Sequence, residues 1–422
     1  RQRDKIVAAI AAIDADALGL MEMQNNGATA VQNLVDALNA KVGAGTYAAV
    51  TDPAAGTGSD AIKVAMIYKP ARLSRVGEAQ SDTDPVNNRP PLAQTFATLN
   101  GQRFMLVVNH LKSKGSCPSA GDSDYAGNYD SGDGQGCWNA LRVQQAERLS
   151  TWVGTLADAA GTSDAVLLGD FNSYAQEDPV VTLTSSGFVD QVSRFNSFGY
   201  SYVFDGASGR LDHGFATASL SGKVTDAVDW HINADEPAII DYNLEYKQPA
   251  CATCGPDYYT PTAYRSSDHD PMVMALSLLN TISGTGKRDT LVGTPGDDVF
   301  IAGGKADTLT GGAGRDQFRL TALGDARDTI TDFTPGEDVL DLRTLLASIG
   351  YTGSDPIGDR VVQLRNHAEG VHVQVYNPNT ARYKVVATLS GLVTSQIDPA
   401  RDLWLVEAPA LKAAKRSRAS VH

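Results

Sequence analysis

What the 422-residue sequence most plainly lacks is a long hydrophobic run: nothing approaches the roughly 20 apolar residues a membrane-crossing helix needs, which excludes a helical integral membrane protein. It opens on Arg1-Gln2-Arg3, with neither Met nor the apolar stretch of a signal peptide, so the expectation is a soluble chain that is processed or incomplete at its amino end. Positive charge is also in deficit, with 35 Lys and Arg against 49 Asp and Glu and a net charge of −14. Residues 1–280 carry 19 basic and 32 acidic side chains, a net of −13, and the remainder 16 and 17, a net of −1. A broad basic surface gripping long DNA through its phosphates is thereby excluded. Any nucleic-acid contact must be local or metal-assisted.

Cysteine is scarce. The four fall as Cys117 and Cys137 in a Gly/Ser/Asp-rich segment and as Cys251 and Cys254 in the tetrapeptide CATC. An even count fits disulfides in an oxidising compartment. Closing the segment from Cys117 to Cys137 would stabilise by about 3 kcal/mol on the loop-entropy model. The competing reading of CATC is half a zinc site or a redox pair, but no second CxxC or zinc-spaced His pair accompanies it.

What is present reads as two or three domains, with 42% hydrophobic residues enough for at least one large core. The expected division is 1–280 for a catalytic domain, 281–345 for a repeat block, and 346–422 for a β-rich cap and tail that would include a secretion region. DKIVAAIAAIDAD predicts an amphipathic helix running into the strand ALGLMEM, and a second helix follows at about 30–41. TYAAV, AIKVAMIYK, QTFATLN and RFMLVVNH predict strands. A long helix is expected over WNALRVQQAERLSTWVGTLADA, then a buried strand DAVLLGD that delivers Asp170 to a sheet edge, and a hairpin YSYVFDGASGRLDHGFAT carrying Asp212. Alternating helices and strands argue for an α/β sandwich.

From about residue 281 the pattern becomes a nine-residue repeat. Asp289, Asp298, Asp307 and Asp316 stand nine apart in units that approximate GGxGxDxUx. Glycine permits the tight turns, Leu291, Phe300, Leu309 and Phe318 would fill a core, and each Asp offers a carboxylate to calcium, with alternate turns stacking around shared ions. A Gly-rich linker has no reason to keep both registers. DTITDFTPGEDVLDL and VHVQVYNPNTARYKVVATL are expected to cap the array, and the basic ending LKAAKRSRASVH to be loose.

Phosphodiester hydrolysis needs a hard cation, an activated water, neutralisation of growing charge and help for the leaving oxygen. The sequence places polar chemistry where apolar strands end: Glu22, Asn109-His110-Leu111-Lys112, Gly169-Asp170-Phe171-Asn172, Arg210-Leu211-Asp212-His213, and Ser267-Asp268-His269-Asp270-Pro271. Singly each is weak, since GDFN is also a common Asx turn and a lone His is usually structural. Together they describe one site.

The order and wording of these motifs resemble the endonuclease/exonuclease/phosphatase superfamily, which includes DNase I, exonuclease III and the neutral sphingomyelinases. Through RQRDKIVAAIAAIDADALGLMEMQNNG, NRPPLAQTF, NHLKSKGS, GDGQGCWNALRVQQA, LLGDFNSYAQEDP and RSSDHDPMV, residues 1–280 resemble the secreted bacterial extracellular nucleases most. The resemblance implies a four-layer αββα sandwich. It implies Glu22 and Asp268 as ligands of catalytic Mg2+ or Mn2+, and His269, oriented by Asp212, acting at the phosphate. It implies Asp170 positioning the water, Asn172 stabilising charge, His110 assisting on the phosphate or leaving-group side, and Arg89 and Lys112 contacting phosphate. The family's first strand, ending in an Asn that orders the metal-binding Glu, has no counterpart before Arg1, and a longer precursor is expected. The repeats resemble the calcium-binding nonapeptide repeats of RTX exoproteins, which form a parallel β-roll and imply Ca2+ ligation by Asp289, Asp298, Asp307 and Asp316. They also suggest a type I secretion apparatus as a partner and an extracellular destination. The expected activity is cleavage of extracellular DNA, with RNA as a second substrate, by a monomer. The competing readings are a phospholipid or small-phosphoester hydrolase of the same fold, and an inert calcium-dependent surface protein.

Overall fold

The structure is a computed structural model that describes residues 1–245, 247–248, 250–251, 253–324 and 327–406. The basic ending 411–422 lies outside the described residues. The described residues form two compact units, one within 1–98 and 103–277, the other within 99–102 and 278–406. Among the described residues no helix is long and apolar enough to cross a membrane.

The first unit is the four-layer αββα sandwich. Helices α1 (Gln2–Ile13) and α2 (Thr29–Val42) cover a small antiparallel sheet of β1 (Ala17–Gln24), β2 (Ala48–Ala49) and β3 (Ile62–Tyr68) in the order β1-β3-β2. Val7, Ile10, Val31, Leu34, Val35 and Leu38 close over Ala65 and Ile67, because the helices present their apolar stripes at three- and four-residue spacing. The second sheet has the order β4-β5-β6-β7-β11-β8, built from β4 (Leu73–Ser81), β5 (Leu92–Thr98), β6 (Arg103–His110), β7 (Ala165–Asp170), β8 (Phe188–Asp190) and β11 (Asp212–Thr217). Strands β6 and β7 pair in parallel and are buried on both faces, so they read as continuous apolar runs. Helices α3 (Asn139–Ala160) and α4 (Asp178–Ser185) cover the outer face through Ala146, Leu149, Trp152, Val153, Val180 and Leu183.

The sheets face each other so closely that a Cβ on Gly19 of β1 would lie 2.4 Å from Leu168 Cδ1 and 2.7 Å from Val108 Cγ2. Strands β12 (Val224–Asp229) and β13 (Met272–Leu276) form a separate pair. Both β1 and β13 have one strand neighbour, and their residues are mostly half-buried.

One sequence expectation needs correction. Asp212 is not on a hairpin: the hairpin is β9 (Tyr202–Phe204) with β10 (Ala207–Gly209), and Asp212 opens β11, inside the large sheet between β7 and β8. Ser201 Oγ accepts from the amides of Leu211 and Asp212, both at 3.1 Å, and buried Arg210 is held 2.6 Å from Asp190. These bonds bend the chain out of the hairpin and start a new strand.

The second unit is a parallel β-roll with a β-hairpin beside it. Alternate turns feed alternate sheets: β14 (Asn280–Ser283), β16 (Asp298–Ile301), β18 (Gln317–Arg319) and β20 (Val339–Asp341) stack in one, and β15 (Thr290–Val292), β17 (Thr308–Thr310) and β19 (Asp328–Ile330) in the other. Phe300 therefore sits beside Phe318 and Leu291 beside Leu309, and Phe300, Leu309, Phe318, Ile330 and Leu340 are wholly buried. Gly312 takes φ 98°, and a Cβ there would lie 2.6 Å from the Thr294 carbonyl oxygen of the turn below.

The segment DTITDFTPGEDVLDL departs from expectation, supplying two further turns of the roll as β19 and β20. The cover comes from β21 (Val362–His367), β22 (Gly370–Asn377) and β23 (Arg382–Ser390) on one sheet and β24 (Leu403–Trp404) on the other.

Candidate active site

Strand register assembles the centre of the site. His110 on β6 is paired with Asp170 on β7, and Asp170 with Asp212 on β11, so the three stand in one row across adjacent strands. All are buried, and His110 Nε2 lies 3.5 Å from Asp170 Oδ2. The row depends on Gly169 at φ 137°, since a Cβ there would meet the Asn109 carbonyl oxygen at 2.0 Å.

His269 reaches this row from the loop before β13. Its Nδ1 lies 2.7 Å from Asp212 Oδ2, and its ring packs against Tyr202 with centroids 4.6 Å apart. The loop is fixed from below. Asp270, 2% exposed, accepts from the amides of Ile232, Asn233 and Ala234 and pairs with His231, while Asn233 Nδ2 donates to the His269 carbonyl at 2.7 Å.

Asn172 is in the left-handed region at φ 48° and closes an Asx turn on Asp170. Its amide Nδ2 donates to Asp170 Oδ2 at 3.0 Å and to the Leu111 carbonyl at 3.1 Å, so both hydrogens serve to aim Asp170. Arg89 lies beneath, donating to the carbonyls of His110 and Leu111 with Nη1 3.8 Å from Asp60. Lys112 Nζ lies 4.7 Å over the Trp138 ring.

The electrostatics divide these groups. Burial, reinforced by the charge of Asp212, pushes the Asp170 carboxyl up to about 7. Burial, with Arg89 and His269 beside it, pushes His110 down to about 3, so its imidazole is neutral. Burial would lower His269 as well, but Asp212, Asp170 and Asp268 overcome it and push the ring up to about 10. A protonated and a neutral imidazole therefore flank one carboxyl group.

Glu22 lies on β1 where the pairing with β3 slips between Leu20 and Met23, at φ 58° and exposed. Such a bulge re-aims a side chain. Among the described residues its carboxylate makes no hydrogen bond or ion pair, and it acts with Asp268 and Asp241 on the nearby Tyr242 hydroxyl, which burial already raises. Among the described residues Asp268 accepts one side-chain hydrogen bond, at 3.4 Å from Ser267 Oγ. Two nearly unengaged carboxylates within reach of one phenol are hard oxygen donors, the set that suits Mg2+ or Mn2+. The carboxylates of Asp170 and Asp212 also come within 4.8 Å of a His269 ring nitrogen. In that trio Asp212 and His269 face each other in a charge-assisted hydrogen bond, which leaves those atoms turned away from an ion.

Sequence reasoning missed Ser201, Tyr202, Asn233 and Arg142. Arg142 is fully buried and donates to the carbonyls of Lys112, Gln135 and Cys137, holding the loop that carries Lys112. The disulfide Cys117–Cys137 closes that loop. Cys251 and Cys254 are free thiols.

In the repeats the Asp side chains stack in two columns. The amide of Asp289 donates to Asp307 Oδ1 at 2.7 Å and that of Asp307 to Asp328 Oδ1 at 2.9 Å; Asp298 donates to Asp316 and Asp316 to Asp338, both at 3.0 Å. Asp328 and Asp338 thus join the four predicted residues. Among the described residues buried Asp307 Oδ2 and Asp316 Oδ2 have no hydrogen-bond partner, and burial with the charges of Asp338, Asp298 and Asp297 pushes Asp316 up to about 7. Crowded, underbonded carboxylates of this kind fit calcium.

Comparison with known proteins agrees with both halves. The profile of the Endonuclease/Exonuclease/phosphatase family matches residues 1–269. The chain belongs to this family. The RTX calcium-binding nonapeptide repeat, in four copies, matches residues 280–318. Among solved structures, a Bacteroides thetaiotaomicron mannosyl-6-phosphatase is 15% identical, with 65% of this chain and 90% of that one covered and a TM-score of 0.43. The human Nocturnin catalytic domain with bound sulfate is 16% identical, with 65% and 86% covered and a TM-score of 0.39. Danio rerio TDP2 complexed with a single-strand DNA product is 14% identical, with 64% and 90% covered and a TM-score of 0.38. No curated protein matches. Family membership makes the first unit a divalent-metal-dependent phosphoester hydrolase, and the second carries calcium-binding repeats.

Proposed function

We propose that the protein is a secreted nuclease that hydrolyses phosphodiester bonds of extracellular DNA, with RNA as a second substrate. The observation that carries this reading is the row His110–Asp170–Asp212 with His269 locked to its end at 2.7 Å. Glu22 and Asp268 would hold Mg2+ or Mn2+, which supplies positive charge to the phosphoryl oxygens.

The chain's own groups divide the remaining work. Asp170, aimed by Asn172 and poised near neutral pH, orients the attacking water and takes its proton. His269, protonated and held by Asp212, donates to a phosphoryl oxygen as charge grows there. Neutral His110, with Nε2 3.5 Å from Asp170 Oδ2, assists on the phosphate or leaving-group side. Lys112 contacts the substrate phosphate, and Arg89 works mainly by fixing the His110–Leu111 backbone. These local cations answer the net negative charge of the unit.

In the second unit Asp289, Asp298, Asp307 and Asp316, with Asp328 and Asp338, would ligate calcium. The underbonded carboxylates support a block that stays loose where calcium is scarce and folds after export, with a type I apparatus as the export partner. The test is a panel of plasmid, linear DNA, RNA and sphingomyelin with Mg2+ or Mn2+, with EDTA, and with the His269→Ala variant. Metal-dependent DNA cleavage lost in the variant is expected. Cleavage of sphingomyelin alone, or DNA cleavage unchanged in the variant, would overturn the reading.

A further inference from the structure

Among the described residues, a group of His and Glu side chains that could hold a metal ion lies outside both the catalytic row and the Asp columns. The turn between β21 and β22 is two residues long, Ala368 and Glu369, because His367 pairs with Gly370 across it. This tight reversal brings His367, Glu369 and His372 together, each offering one ligand atom within 4.8 Å of the others. A Glu369 carboxylate oxygen lies 3.8 Å from His367 Nδ1 and 3.8 Å from His372 Nε2, and the two imidazole rings stack with centroids 4.0 Å apart.

His372 supplies an independent observation. It is 7% exposed, and among the described residues its buried Nε2 has no hydrogen-bond partner. Buried polar atoms are normally satisfied, and one that is not is a standing cost unless something binds it. Facing it across β22 and β23 is Thr388, whose buried Oγ1 also has no hydrogen-bond partner among the described residues, so that side chain does not relieve it.

The geometry points to a site for a late first-row divalent cation, with zinc as the representative ion, formed by His367, Glu369 and His372 and completed by water. Two imidazoles and one carboxylate select zinc, copper or nickel over calcium and magnesium, which prefer all-oxygen shells. The site is therefore chemically distinct from the Asp columns of the same unit. Arg327 Nη2 lies 3.4 Å from the Glu369 carboxylate and competes with the ion for it. Binding requires that ion pair to open.

The side chains of His367, Glu369 and Arg327 are 49%, 55% and 44% exposed, so substituting them leaves the fold intact. The experiment uses the full chain, loaded with calcium and in millimolar Mg2+ so that oxygen-lined sites are filled, and titrates zinc against a competing chromogenic chelator. The wild type is expected to take up one more zinc ion per chain than His367→Ala, Glu369→Gln to bind it at least ten-fold more weakly, and Arg327→Gln several-fold more tightly. Electron paramagnetic resonance of a Cu2+-loaded sample should show coupling to two imidazole nitrogens that falls to one in His367→Ala. Equal zinc stoichiometry and affinity in the wild type and His367→Ala would overturn the proposal, as would copper coupling unchanged by that substitution.

Discussion

Asp212 Oδ2 and His269 Nδ1 lie 2.7 Å apart, although 57 residues separate them in the chain. The carboxylate fixes the ring's orientation and helps keep it protonated, which is what a donor to a phosphoryl oxygen requires. Asp212→Asn keeps the shape and removes the charge. It is expected to lower kcat by about 10²- to 10⁴-fold with little change in KM, the usual range for a proton-handling group. A kcat within two-fold of wild type on plasmid DNA would remove His269 from the assigned role.

Glu22 is exposed and unengaged on its bulge, so Glu22→Gln should fold normally. The expected effect is on metal dependence: the Mg2+ concentration giving half-maximal activity rises about ten-fold or more, the scale of a lost ligand, and high Mg2+ restores part of the rate. Magnesium titrations of the two proteins decide it. Identical curves would place the ion elsewhere.

Asp316 offers a reversal of sign. Without calcium its carboxylate is pushed up to about 7 by burial and by neighbouring acids, so Asp316→Asn should raise the melting temperature of the repeat unit in EDTA. With calcium the same variant should melt lower than wild type, because an ion at 100 times its dissociation constant stabilises by about 2.7 kcal/mol. Calorimetry in the two conditions tests both arms. A variant shifted the same way in both is not a ligand variant.

Asp229 is buried, neither of its oxygens has a hydrogen-bond partner among the described residues, and burial pushes it up to about 7. Its folded-state pKa exceeds the ordinary value of 3.8, so the folded chain holds the proton more tightly. The penalty is absent below about pH 4, grows by about 1.4 kcal/mol per pH unit, and levels off above pH 7 at something on the order of 4 kcal/mol. Asp229→Asn should therefore stabilise the first unit at pH 8 and have little effect at pH 4. Urea unfolding of both proteins across that range, with parallel slopes, would contradict this.

The Cys117–Cys137 disulfide closes a separation of 20 residues. Replacing both cysteines is expected to cost about 3 kcal/mol on the chain-entropy model. Limited proteolysis should then cut within 113–137 first. Unchanged resistance would mean that the buried Arg142 contacts hold the loop alone.

Much of this was legible because buried parallel strands such as RFMLVVNH and AVLLGD announce themselves as apolar runs, and their ends carry His110 and Asp170. The row these residues form was not legible, since register is set by pairing between distant strands. Asp212 was misassigned to a hairpin because GASGR contains the turn residues of one. The bonds that end that hairpin, from Leu211 and Asp212 to Ser201 and from Arg210 to Asp190, are set by folding rather than by any local pattern. Asn233 and Asp270 likewise act through contacts some 36 residues away. The repeats were legible only while their period held: the steps from Asp316 to Asp328 and from Asp328 to Asp338 are twelve and ten residues, and the broken rhythm hid two turns of the roll.

The column through Asp298, Asp316 and Asp338 has two unlike ends. At the first, Asn280 offers an amide to Asp298 at 2.6 Å where another acid would continue the stack. At the last, Asp402 receives the Gly336 amide but is already gripped by the guanidinium of Arg401 at 2.6 and 3.0 Å. A neutral amide therefore caps the first end of this column and an ion pair the last. Duplicated turns could be spliced into its middle in steps of eighteen residues, keeping each column in phase, whereas a turn appended at the last end would meet a carboxylate already neutralised by Arg401.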